Sequence, residues 1–165
     1  MVTTDLHTKE QILGLLASIV DPEIPVVTIQ EMGMLRDVIL TENSCEVIIT
    51  PTYTGCPAMG IIEHDITELL HKHGIANVTV TLTYSPSWTT DWMSQETKEK
   101  LRNYGIAPPT HSSCVNWLDP SNLVVHCPRC NSKNTQLIAQ FGSTACKALY
   151  ACEVCKEPFE LFKCH

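Results

Sequence analysis

The sequence predicts two units in series: an α+β domain with helices packed against one face of a small mixed sheet, then a smaller, cysteine-rich β domain. Three observations carry this prediction. Helical and strand-like periodicities run in the order helix, strand, strand, helix, strand, helix before residue 106. Only Cys45 and Cys56 precede residue 110, whereas the other seven of the nine cysteines follow it. Between the two regions, Gly105-Ile-Ala-Pro-Pro-Thr-His-Ser-Ser113 has the small, polar and proline residues of a connection. The expected division is 1–107 for the α+β domain, 108–124 for a linker and 125–165 for the β domain.

The elements follow in order. Thr8 and Gln11 have capping-box spacing, and Ile12, Leu15, Leu16 and Ile19 then recur at helical period. Asp21-Pro-Glu-Ile-Pro25 stops this helix, because each proline lacks an amide and restrains its predecessor. Strands are expected at Leu35–Leu40 and Glu46–Thr50, joined through the turn-prone residues 41–44. A second helix is expected to start at Pro57 and to stop at Gly74, with Ile62, Ile66, Leu69 and Leu70 buried. In Asn77–Tyr84, Val78, Val80, Leu82 and Tyr84 alternate with residues that are mostly threonine, the period of a strand. Ser94 opens a third helix that ends at Gly105 and carries Glu96 and Lys100 one turn apart.

Composition narrows the function classes. Hydrophobic residues make up 44% and charged residues 18% of the 165, a globular balance. Acidic residues outnumber basic ones 18 to 11, so the net charge of −7 offers no field for nucleic acid or an anionic membrane. No apolar run reaches membrane-spanning length, and residues 1–10 lack the apolar core of an export signal. The expectation is a cytoplasmic protein without membrane or nucleic-acid partners. An odd number of cysteines in such a setting points to metal or redox chemistry rather than a disulfide framework.

Cys127-Pro-Arg-Cys130 and Cys152-Glu-Val-Cys155 are two C-x-x-C pairs separated by 21 residues. Two thiolates across a tight turn occupy two corners of a tetrahedron, and a second such turn completes it. Between and after these turns, Gln136–Phe141, Lys147–Ala151 and Pro158–Lys163 read as strands. This is the layout of a zinc ribbon, in which about forty residues with little core fold around a structural metal. Tetrahedral sulfur also suits iron, which stays open as the alternative, along with an electron-transfer role for it. Cys114, Cys146 and the terminal Cys164-His165 are surplus to the four; Lys147 beside Cys146 is placed to lower its pKa.

Cys56 falls where a strand ends and a helix begins, and amides at a helix start stabilise a thiolate. The histidines 64, 71 and 73 read as solvated helix residues. The Glu68–His71 spacing lacks the further glutamates and second Glu-x-x-His of a di-iron bundle. No histidine has a context that marks it as a catalytic partner for Cys56, so no catalytic residues are assigned.

Asp21-Pro-Glu-Ile-Pro-Val-Val-Thr-Ile29, Glu31-Met-Gly-Met-Leu35 and Tyr53-Thr-Gly-Cys-Pro57 resemble the SufT-like iron–sulfur assembly domain family over residues 8–90. With Ser85-Pro-Ser-Trp-Thr-Thr-Asp-Trp92 and the cysteine-rich tail added, the chain is similar to PaaD-type proteins of phenylacetyl-CoA epoxidase systems. The resemblance implies a non-catalytic accessory factor in aerobic phenylacetate catabolism. It would deliver or insert iron or an iron–sulfur cluster into the oxygenase or its iron–sulfur flavoprotein reductase. It also implies that Cys56 holds that transient iron or cluster and that Asp21 and Glu23 belong to the same site. Asp21 and Glu23 are equally at home as turn formers. One thiol cannot retain a [2Fe–2S] cluster, which takes four ligands, so a homodimer, a client's cysteines or small thiols are expected to complete it. The alternative reading is a scaffold component of the epoxidase complex. Trp88 and Trp92 suit either packing under a loop or an apolar recess for a client.

Overall fold

The computed structural model describes residues 8–42, 44–110 and 123–164. The chain divides into two compact units, Met1–Trp88 and Thr89–His165.

In the first unit, helix α1 (Lys9–Leu16) opens with the expected capping box. The Gln11 amide donates to the Thr8 hydroxyl oxygen at 3.3 Å, and the Thr8 amide donates to Gln11 Oε1 at 2.8 Å. Ile12 and Leu16 are its buried face. The proline-flanked stop then does more than end the helix. It turns into a short antiparallel hairpin, β1 (Val20–Asp21) with β2 (Ile24–Thr28), which periodicity alone did not reveal because two residues have no period to read.

Strands β3 (Leu35–Leu40) and β4 (Cys45–Ile49) pair antiparallel, and β4 pairs in parallel with β5 (Val78–Leu82). Helix α2 (Met59–Lys72) makes the crossover between these parallel strands, as such a connection requires. The sheet order is β3-β4-β5. Alternation buries Cys45, Val47 and Ile49 on one face of the central strand, and α2 buries Met59, Ile62, Ile66 and Leu70. Val47 and Ile62 are both fully buried, so by area alone each contributes roughly 2 kcal/mol. On the opposite face the Thr81 hydroxyl donates to Glu46 Oε1 at 2.6 Å.

The start of α2 differs from the expectation. Ala58 is its cap and Met59 its first residue, so Pro57 lies ahead of the helix. The Cys56 amide donates to the Tyr53 carbonyl at 3.3 Å, which occupies the preceding residues in a turn. Trp88, 4% exposed, donates its indole N–H to the Met32 carbonyl at 2.8 Å. It packs rather than lining a recess. Among the described residues no helix is long and apolar enough to cross a membrane.

In the second unit, helix α3 (Gln95–Tyr104) starts on the Ser94 cap and ends at Gly105, whose φ of 100° is open to glycine at low cost. It leads into β6 (Ile106–Ala107), which pairs in parallel with β9 (Pro158–Phe162). Strands β7 (Thr135–Ala139) and β8 (Lys147–Cys152) complete an antiparallel ribbon in the order β6-β9-β8-β7. Helix α3 and β6, which the sequence grouped with the first domain, therefore lie in the second compact unit. Residues 111–122 of the expected linker, with Cys114, and His165 lie outside the described residues.

Candidate metal centre and thiol site

The two C-x-x-C turns are built alike. In the first, the Asn131 amide donates to the Cys127 carbonyl at 2.9 Å and the Cys127 amide donates to the Ser132 carbonyl at 2.9 Å. In the second, Lys156 donates to Cys152 at 2.9 Å and Cys152 donates to Glu157 at 3.0 Å. Each pattern wraps the backbone around the sulfurs, and each needs a left-handed residue directly after its second cysteine. Asn131 (φ 60°) and Lys156 (φ 62°) take that conformation. Asparagine tolerates it; lysine does so at a cost.

These turns bring all four sulfurs within 4.8 Å of one another. Cys127 and Cys155 are 3.7 Å apart, and Cys130 and Cys152 are 3.5 Å apart. Zinc–sulfur bonds of about 2.3 Å set tetrahedral sulfur–sulfur edges of about 3.8 Å, so the cage matches a tetrahedral metal. The electrostatics agree. Amides of Cys155 and Val154 hold the Cys152 thiol down to about 6 against the effect of burial. The Glu157 amide pulls Cys155 down, but burial and its thiol neighbours together push it up to about 12. One thiolate forms readily, and the next is opposed until a cation is shared between them. Among the described residues, no other three or more histidine, cysteine or acidic side chains converge in this way. The four predicted ligands therefore form one site that could hold a metal.

The remaining cysteines stand apart. Cys45 is fully buried in the sheet, and burial raises its pKa, as suits an inert thiol. Cys146 is buried against the Thr144 hydroxyl at 3.0 Å, and Cys164 is disulfide-bonded.

Cys56 is half-buried in the turn before α2. Burial is the largest influence on it and raises its pKa. Amides of Ala58 and Met59 pull the other way, as the helix start predicts, but Glu23 and Asp21 push it up again. The net shift is upward, which corrects the expectation of a thiolate made by the helix start alone. The charges of Glu23 and Asp21, distant in sequence, therefore act electrostatically on Cys56. Asp21, 6% exposed, also has a structural role: its Oδ1 accepts from the Glu23 amide at 2.7 Å and the Ile24 amide at 3.1 Å. One carboxylate thus both holds the turn and acts on the thiol. His64, His71 and His73 are exposed on or after α2.

Sequence reasoning missed a buried ion pair in the ribbon. Lys147, with its side chain 4% exposed, meets Glu160 at 3.2 Å, and the Ser143 hydroxyl donates to Glu160 Oε2 at 3.1 Å. No local pattern marks a lysine as buried; its partner lies on the neighbouring strand.

Two family models match the chain. One described as the PaaD zinc beta ribbon domain matches residues 113–163, and one described as iron-sulfur cluster assembly protein matches residues 9–81. A protein of Escherichia coli (strain K12), named as one of the subunits of a "Putative 1,2-phenylacetyl-CoA epoxidase", is 49% identical over 93% of this chain and 92% of its own. An Fe-S protein maturation auxiliary factor of Porphyromonas gingivalis (strain ATCC BAA-308 / W83) is 33% identical over 58% of this chain and 92% of its own. The crystal structure of a domain of unknown function, DUF59, from Bacillus anthracis superposes with a TM-score of 0.53 at 28% identity. It covers 56% of this chain and 90% of that one.

Proposed function

The chain belongs to the PaaD family of phenylacetyl-CoA epoxidase proteins, and from that premise we propose that it is a non-catalytic maturation factor of such an epoxidase. In this reading Cys56 carries iron or an iron–sulfur cluster to the oxygenase or its reductase, and the four-cysteine site holds structural zinc. The observation that supports this reading is the electrostatic action of Glu23 and Asp21 on the Cys56 thiol. A thiol in the field of two carboxylates resists ionisation while empty, and an iron cation removes that resistance by neutralising the negative charges. Loading and release are thereby both within reach, which suits a carrier better than a permanent site. The remaining ligands come from outside this trio: a client's cysteines, small thiols or a second copy.

A scaffold reading has one observation in its favour. Cys56, Asp21 and Glu23 do not converge to the distance at which the four ribbon cysteines do.

The test is metal and acid-labile sulfide content after strictly anaerobic purification, with a visible spectrum, for the wild type and Cys56→Ser. One zinc in both, with iron and sulfide lost only from the variant, is the expected result. Zinc alone in both supports the scaffold. Iron that survives the substitution moves the redox chemistry to the ribbon cysteines.

A further inference from the structure

The two edges of the first unit's sheet are treated differently. Edge strand β3 carries Arg36 and Asp37, has a register irregularity between Leu35 and Asp37, and is crossed by the Lys9–Asp37 ion pair from α1. Charges, bulges and covering elements are the devices by which proteins keep an edge from pairing with another strand. Edge strand β5 shows none of them among the described residues. From Asn77 to Tyr84 it contains no charged residue and no proline. Among the described residues no strand pairs with its outer side. Leu82 is 38% exposed and Tyr84 53%.

The backbone direction of that outer side follows from two bonds. Cys45 donates to the Asn77 carbonyl and Thr83 donates to the Ile49 carbonyl, each at 2.9 Å. Odd-numbered residues of β5 thus point their amides and carbonyls at β4. Those of Val78, Val80 and Leu82 point outward, where no strand among the described residues receives them.

We infer that β5 is a homodimer interface, in which two copies pair β5 antiparallel about a twofold axis at Val80 to form one continuous six-stranded sheet. The occupant is a second copy because the strand is its own complement. Val-Thr-Val-Thr-Leu alternates aliphatic and threonine residues in the same pattern in both directions, so this register sets Val80 opposite Val80, Val78 opposite Leu82, and Thr79 opposite Thr81 of the other copy. Opposite residues share a face, so the aliphatic side stays with the α2 face and threonine meets threonine. About six main-chain hydrogen bonds form, two at each of three outward-facing pairs.

The inference does not depend on the iron reading, but it constrains it. The Cys56 loop leaves the end of β4 beside Leu82, through the Ile49–Leu82 register. Antiparallel pairing puts the two loops at opposite ends of the joined sheet, separated by about 14 Å of strand, the rise of the four residue steps from Val78 to Leu82. A second copy paired in this way does not complete the Cys56 ligand set; a client or small thiols must.

The test is sedimentation velocity over a concentration series on the full chain. Wild type is expected to dimerise. Thr79→Lys with Thr81→Lys sets like charges opposite each other twice and is expected to raise the dimer dissociation constant roughly tenfold or more. Thr79→Glu with Thr81→Lys sets opposite charges across the same pairs and is expected to restore dimerisation. Circular dichroism and thermal melting establish that each variant is folded. A wild type that stays monomeric, including one that instead binds an extended client peptide, overturns the inference. So does a folded Lys/Lys variant that dimerises as the wild type does, or a Glu/Lys variant that fails to recover.

Discussion

Asn131 and Lys156 occupy equivalent places in the two metal-binding turns: each directly follows a second cysteine, and each has φ near 60°. Each also donates its amide to the carbonyl of the first cysteine of its pair. The turns are two versions of one local structure, although their sequences share little beyond C-x-x-C. Only asparagine among these two residues suits the left-handed region, so Lys156→Gly is expected to stabilise the ribbon by about 0.5–1 kcal/mol. A valine there is expected to destabilise it by more. Thermal melting of the metal-loaded chain reads both, and a glycine variant no more stable than wild type counts against strain at this position.

Removing the metal has a larger effect. The four cysteines tie together elements whose other core is small: the buried cluster includes Tyr150, Phe159 and Leu161 with two of the ligands themselves. Metal binding in such units contributes on the order of 10 kcal/mol. Chelation, or Cys152→Ser, is expected to unfold the region from residue 123 onward while the sheet of the first unit persists. Limited proteolysis followed by mass spectrometry distinguishes the two regions.

The Lys147–Glu160 pair predicts acid sensitivity. Burial alone raises the Glu160 pKa, but the Ser143 amide and hydroxyl together with Lys147 outweigh it and hold the pKa below the usual value of 4.5. A carboxylate with a depressed native pKa adds stability that is complete above its unfolded pKa. That stability is lost as pH falls through the native value. The melting temperature of the ribbon is therefore expected to drop below about pH 4.5 by a component that Glu160→Gln abolishes. At neutral pH Glu160→Ala is expected to cost about 3–5 kcal/mol by leaving Lys147 buried without its partner. Gly142→Ala works against the same residue, because a β-carbon there meets the Glu160 carboxylate.

The two roles of Asp21 separate by substitution. Asp21→Ala removes the acceptor for the Glu23 and Ile24 amides and is expected to cost about 1–2 kcal/mol. Asp21→Asn keeps an acceptor oxygen but removes the charge that acts on Cys56. Its thiol pKa is expected to fall, and alkylation at fixed pH to quicken, as it should in Glu23→Gln. Rates of iodoacetamide labelling at Cys56 check this; unchanged rates in both variants would show that neither carboxylate acts on the thiol.

What the sequence determined by itself is local in origin. The cap at Thr8, the alternation in β4, the α2 face carrying Ile62, Ile66 and Leu70, and the two C-x-x-C turns each depend on residues within a few positions of one another. Spacing and propensity therefore expose them. What only the tertiary structure decided depends on partners far along the chain. Burial and the carboxylates of Asp21 and Glu23 overrule the helix start at Cys56. The two-residue strand Ile106–Ala107 is defined by its pairing with residues 160 and 161. Lys147 can be buried because Glu160 lies on the adjacent strand. Periodicity reports which face of an element is apolar. It carries no information about which distant charge, sulfur or strand edge that face will meet, and at these sites the distant partner sets the chemistry.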